Sequence, residues 1–168
     1  MSKQQVEKVI LGIDPGTVVM GYGVIKVVGG QIQVECMGSI HLDKLASHQL
    51  KLKHIFERMS YLIETYMPDD MAIEAPFYGK NVQSMLKLGR AQGVCMAAAL
   101  IKQIPVTEYS PKKVKQSITG SGNASKEQVA AMLQKICKIA QVPKYLDASD
   151  ALAVSLCHHY QSKNIGVG

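Results

Sequence analysis

Apolar and polar positions change their period several times along the chain, and each change marks an element. Residues 8–14, Lys-Val-Ile-Leu-Gly-Ile-Asp, form a β-branched run that stops at Asp14-Pro15-Gly16, a turn signal that no regular strand continues through. Residues 22–28 and 31–40 alternate on either side of Gly29-Gly30. That pair suits a two-residue turn of the primed type, so the pattern predicts a hairpin and, with the first run, three antiparallel strands. Over residues 47–67 the apolar positions Leu50, Leu52, Ile55, Phe56, Met59, Leu62, Ile63 and Tyr66 return at helical spacing until Pro68 stops them. Residues 71–74 predict a fourth strand, 81–103 a second long helix rich in Ala, Gly and Met, and 104–108 a fifth strand. Helices are expected over 111–118, over 125–140 and over 147–160. The second of these opens on Ser125-Lys-Glu-Gln128, a pattern in which side chains satisfy the first free amides.

The order βββαβαβ followed by helices predicts one α/β domain, residues 1–160, with a mixed five-stranded sheet flanked by helices. Residues 161–168 are expected to be a frayed, disordered tail. The 168 residues suffice for one core and not for two. With 47% hydrophobic and 19% charged residues, and Gly and Pro at only 14 and 6, neither a disordered chain nor a collagen-like repeat is plausible. The longest apolar run, residues 94–101, falls far short of the roughly 20 residues that cross a bilayer. The N-terminus lacks the apolar region of an export signal, so the expected compartment is the cytoplasm. Cys36, Cys95, Cys137 and Cys157 are too widely spaced for a zinc site and read as reduced, mostly buried thiols. A net charge of +6 and a pI near 9.1 lean toward a polyanionic partner.

The candidate chemistry is acidic. Asp14 alone is unremarkable, because Asp before Pro-Gly often only stabilises a turn. Glu74 ends the apolar strand Met71-Ala72-Ile73, where packing alone would ask for another hydrophobe. Asp147 and Asp150 would suit the N-cap and N3 positions of the last helix, yet an i, i+3 pair also projects from one face. If the first and fourth strands are neighbours and the last helix packs on them, all four carboxylates meet. Four such charges repel unless cations hold them, and two Mg²⁺ would balance −4 with +4. A paired-ion centre of this kind hydrolyses phosphodiesters, which points to a metal-dependent nuclease.

Ile10-Leu-Gly-Ile-Asp-Pro-Gly-Thr17, Ala72-Ile-Glu-Ala-Pro-Phe-Tyr-Gly-Lys-Asn81, Leu86-Lys-Leu-Gly-Arg-Ala-Gln-Gly93 and Asp147-Ala-Ser-Asp-Ala-Leu-Ala153 together resemble the RuvC family of Holliday-junction resolvases. The resemblance runs from about Lys8 to Tyr160. It implies a ribonuclease H-like fold and a homodimeric, Mg²⁺- or Mn²⁺-dependent endonuclease with two ions per active site. Such an enzyme nicks two opposing strands of a four-way DNA junction symmetrically in recombination and repair, with the RuvA and RuvB branch-migration proteins as partners. The family's catalytic, metal-holding tetrad falls on Asp14, Glu74, Asp147 and Asp150, its base-contacting aromatic on Phe77, and its DNA-contacting lysines on Lys115 and Lys126.

Further phosphate-contact candidates are Lys80, Lys87, Arg90, Lys112 and Lys113, each of which is equally a solvated surface charge. Gly89, Gly93 and Ala97 place small residues on one face of the second long helix, where the resemblance puts the dimer contact and where packing on the sheet would explain them as well. His158-His159 carries little weight as a metal site, since adjacent helical positions face different sides. Three rivals remain: a ribonuclease H-like enzyme of the YqgF type acting on RNA, an actin-like ATPase domain sharing Asp-x-Gly-Thr, and a junction-binding protein without catalysis. A single lobe with no phosphate-binding Gly-x-x-x-x-Gly-Lys loop disfavours the ATPase. An intact tetrad disfavours a pure binder, whose carboxylates would only repel DNA.

Overall fold

The computed structural model describes residues 5–76, 79–139 and 146–165. Its strands are β1 (Val6–Asp14), β2 (Val19–Val28), β3 (Gln31–His41), β4 (Asp70–Glu74) and β5 (Val106–Tyr109). Its helices are α1 (His48–Tyr66), α2 (Val82–Leu100), α3 (Pro111–Thr119), α4 (Lys126–Cys137) and α5 (Leu146–Ile165). The sheet order is β3-β2-β1-β4-β5, with β1, β2 and β3 antiparallel and β4 and β5 parallel to β1. Both turn glycines of the hairpin, Gly29 and Gly30, have positive φ, at 57° and 73°, as a primed turn requires.

Side-chain alternation divides the sheet into two faces, each covered by helices. Val9, Leu11 and Ile13 of β1 join Met71 and Ile73 of β4 in the core beneath α1 and α2. Ile10 and Ala72, one residue out of step, join the opposite core beneath α5. Helix α5 is apolar nearly all round because it is covered on both sides, by the sheet and by α3 and α4.

Element ends follow local chemistry. Ser47, Asn81, Ser110 and Ser125 cap α1, α2, α3 and α4 by accepting from a first-turn amide, and Ser125 and Gln128 complete the reciprocal box. Three expectations are corrected. The second strand starts at Val19 rather than 22, because Val19–Gly21 already pair with residues 39–41 of β3. Helix α2 ends at Leu100, and residues 101–103 form a turn that closes at Gln103, with φ 60°. The last helix does not end at Tyr160: it continues to Ile165, with the Gln161 amide donating to Ser117 Oγ and the Ser162 hydroxyl to the carbonyls of His158 and His159. Of the expected tail, residues 161–165 are helical, and residues 166–168 lie outside the described residues. All four cysteines are free thiols, three of them buried. No helix of the described residues is long and apolar enough to cross a membrane.

Candidate active site

Strand parity decides which way the acids face. Asp14 shares a face with Ile10 and Gly12, and Glu74 shares one with Asp70 and Ala72, so both carboxylates end their strands on the α5 side. Parallel pairing, which reaches Ile13↔Ile73, sets them side by side at the carboxyl edge of the sheet. Asp147 and Asp150 come from the first turns of α5 and meet them there. Asp147 lies within α5 (Leu146–Ile165), so the alternative reading of it as an N-cap does not hold.

Glycines bring that helix close enough. A Cβ on Gly12 would collide with the Ala151 carbonyl oxygen, and one on Gly21 with the carbonyl oxygen of Asp147 itself. Gly21 is also the ladder partner of Asp14. The absent side chain thus lets the backbone of Asp147 settle against the sheet beside Asp14. The sequence signals this only weakly, since glycine in a strand marks either a bulge or a close approach without naming the partner.

One oxygen from each of Asp14, Asp147 and Asp150 lies within 4.8 Å of the others. Oxygens bound to one Mg²⁺-, Mn²⁺- or Ca²⁺-sized ion at about 2.0–2.6 Å can be at most about 4–5 Å apart, so the spacing fits a shared hard cation. Glu74 stands outside this trio and is hydrogen-bonded to Asp14. Burial, that hydrogen bond and the charges of Glu74, Asp150 and Asp147 push the Asp14 carboxyl up to about 9. Asp150 is also raised: burial outweighs the pull of Lys126 and Lys115, and Glu74 and Asp147 add to the burial effect. An all-oxygen, acidic donor set is chemically suited to a hard divalent ion.

These acids line a cleft of about 440 Å³, whose other wall carries Lys115 of α3 and Lys126 of α4, with Pro15, Pro76, Leu88 and Val114 among the apolar lining. Of the other candidate cations, Lys80, Lys87, Arg90, Lys112 and Lys113 are exposed and outside the lining, although Lys87 and Arg90 flank Leu88 on α2. Phe77 lies outside the described residues. Gly89, Gly93 and Ala97 face outward, and a Cβ at either glycine would meet open space, so packing on the sheet does not account for them. His158 is no metal ligand here: its Nε2 lies 2.8 Å from Asp70 Oδ2, which also pairs with Lys8 at 2.6 Å, and its Nδ1 lies 2.7 Å from the Tyr109 hydroxyl.

Comparison with known proteins agrees with this architecture. Residues 10–158 match the family model described as crossover junction endodeoxyribonuclease RuvC. The chain is 61% identical to the crossover junction endodeoxyribonuclease RuvC of Cytophaga hutchinsonii over 164 residues, 98% of this chain and 82% of that protein. It is 60% identical to the protein of that name from Bacteroides fragilis, over 92% of this chain and 84% of the relative. Among solved structures, Thermus thermophilus RuvC in complex with a Holliday junction substrate superposes with a TM-score of 0.89 at 29% identity, covering 94% of this chain and 96% of that one. The chain belongs to the RuvC family of crossover junction endodeoxyribonucleases.

Proposed function

We propose that this chain resolves four-way DNA junctions by nicking two opposing strands, with Asp14, Glu74, Asp147 and Asp150 as the residues that hold two divalent ions, Mg²⁺ or Mn²⁺. The observation that carries this reading is the trio of carboxylate oxygens within 4.8 Å, in a cleft whose facing wall is cationic. When bound, the ions would polarise the scissile phosphate and activate a water for hydrolysis. The chain's own residues supply the rest. Asp14, whose carboxyl burial pushes up, would have to lose its proton to join the ligand set. Lys115 and Lys126 offset the negative charge that a phosphodiester brings to four carboxylates, and hold the strand in line. The apolar wall made by Pro15, Leu88 and Val114 restricts water to the reacting edge.

Two matched cuts need two copies of this cleft. The outer stripe of α2 supports a symmetric pair: Val82, Leu86 and Leu100 are at least half exposed, and the small residues Gly89, Gly93 and Ala97 lie among them. The same reading makes RuvA and RuvB the partners and the cytoplasm the place of action.

The test is incubation with synthetic four-way junction, duplex and RNA·DNA hybrid in Mg²⁺, with end-labelled strands. Paired nicks at symmetric positions of the junction are expected. Preferential cutting of the hybrid would favour an RNA-directed nuclease, and binding without cutting would remove the catalytic assignment.

A further inference from the structure

A second group of cations sits where the first cleft ends. His48 opens α1, and the charges that bear on its imidazole are those of Arg90, Lys87 and Lys51, all positive. Together with burial they lower its pKa. Its Nε2 is shielded from solvent and has no hydrogen-bond partner. The first turn of α1 contains no acidic residue. Among the described residues, neither Lys51, Lys87 nor Arg90 has a carboxylate within ion-pair distance. Like charges gathered without a counter-charge destabilise a fold, and a polyanion relieves that cost.

The position of the group relates it to the cleft. The Lys51 ammonium donates to the Thr17 carbonyl at 2.9 Å, in the turn that follows Asp14. Lys87 and Arg90, i and i+3 on α2, flank Leu88, which lines the cleft. Helices α1 and α2 cover one face of the sheet, whereas α3 and α4, with Lys115 and Lys126, lie beyond α5 on the other. The carboxyl ends of β1 and β4, and the acids on them, therefore stand between two cationic rims.

We infer that Lys51, Lys87 and Arg90, gathered around His48, form a second backbone-phosphate site, gripping the DNA strand on the side of the scissile bond opposite to Lys115 and Lys126. This rests on the nuclease reading above and adds to it a direction for the strand: in past one rim, across the acids, out past the other. Lys87 and Arg90 supply charge from α2, and Lys51 supplies it from α1 while bracing the Asp14 turn.

Neutral methylphosphonates placed one at a time along an end-labelled four-way junction, and along a duplex of the same sequence, test this by binding without divalent ions. In the unaltered protein, loss of a contacted phosphate charge should weaken binding about three- to tenfold, at positions on both sides of the scissile bond. In Lys51→Gln and in Arg90→Gln, sensitivity should vanish on one side only. In Lys115→Gln it should vanish on the other. Each lost contact should reduce the slope of log K against log salt by about 0.9 on the duplex. Lys51→Arg should restore both effects, which separates charge from bracing of the turn, and Lys51→Gln on α1 reports on the rim even if Arg90→Gln alters pairing between copies. Unchanged salt slopes and an unchanged methylphosphonate pattern in Lys51→Gln and Arg90→Gln would overturn the inference. A protein that binds junction no better than duplex would instead count against the junction reading, with the rim still judged on the duplex.

Discussion

Replacing Gly21 by Ala isolates the closest approach in the active site. The new Cβ would collide with the Asp147 carbonyl oxygen. Restoring an ordinary carbon–oxygen contact would require the first turn of α5 to rise by on the order of 1 Å. Overpacking of this kind costs about 1–3 kcal/mol, which for a domain of this size lowers Tm by roughly 3–10 °C. The functional cost should be larger than the stability cost, because the displaced residue carries one of the clustered carboxylates. A misplacement of about 1 Å is worth on the order of 100-fold in rate. Gly30→Ala is the control: it would touch nothing but must hold a positive φ of 73°, so it should cost about 1–2 kcal/mol at a hairpin tip remote from the acids and leave cleavage intact. Single-turnover cleavage of a four-way junction, measured well below both melting temperatures, separates the two effects. A Gly21→Ala protein that cleaves within about threefold of the unaltered rate at saturating Mg²⁺ would refute the reasoning, since the helix would then tolerate the shift without moving Asp147.

The parts of this site that could be read from the sequence are those set by short-range periodicity. Period-two alternation in residues 9–14 already separates Val9, Leu11 and Ile13 from Ile10, Gly12 and Asp14, and the structure keeps that division across the sheet. The carboxyl-end position of Asp14 and Glu74 follows from where their strands stop. Other features depend on contacts between distant segments and leave little local trace. The sequence around Asp147 suits a cap as well as a helical turn, and only its place inside α5 decides between them. Gly21 looks like any strand glycine until a helix more than a hundred residues later lies against it. The His48 and Lys51 rim was equally hidden, because a basic, amphipathic helix start is common and its meaning comes from Lys87 and Arg90 on a different helix.

Asp147→Asn should keep the fold and junction binding while slowing cleavage at least about 100-fold, a loss of roughly 3 kcal/mol of barrier stabilisation, as gel assays in Mg²⁺ would show. Lys115→Ala and Lys126→Ala should weaken binding on every sequence and flatten its salt dependence by about one unit each, read from a salt titration. Gly89→Leu or Gly93→Leu should leave a folded monomer, since Leu favours helix over Gly and the Cβ meets open space; sedimentation showing an intact dimer for both would place the pairing surface elsewhere. The Asp70 carboxylate gives a pH test. Burial raises its pKa, but the hydrogen bonds and charges of Lys8 and His158 more than offset this and hold it below the usual value. A depressed carboxyl stabilises the fold above its unfolded pKa of about 3.9 and loses that contribution as pH falls through the lower folded value. Asp70→Asn should therefore cost about 1–3 kcal/mol at neutral pH, because it leaves Lys8 without its counter-charge and His158 Nε2 without its carboxylate partner. Below about pH 4 the gap between the two proteins should close, since Asp70 in the unaltered chain is then becoming neutral as well. Denaturant titrations from pH 7 down to pH 3 measure the gap directly, and one that stayed constant or widened on acidification would show that the Asp70 charge is not what holds α5 to the start of β4.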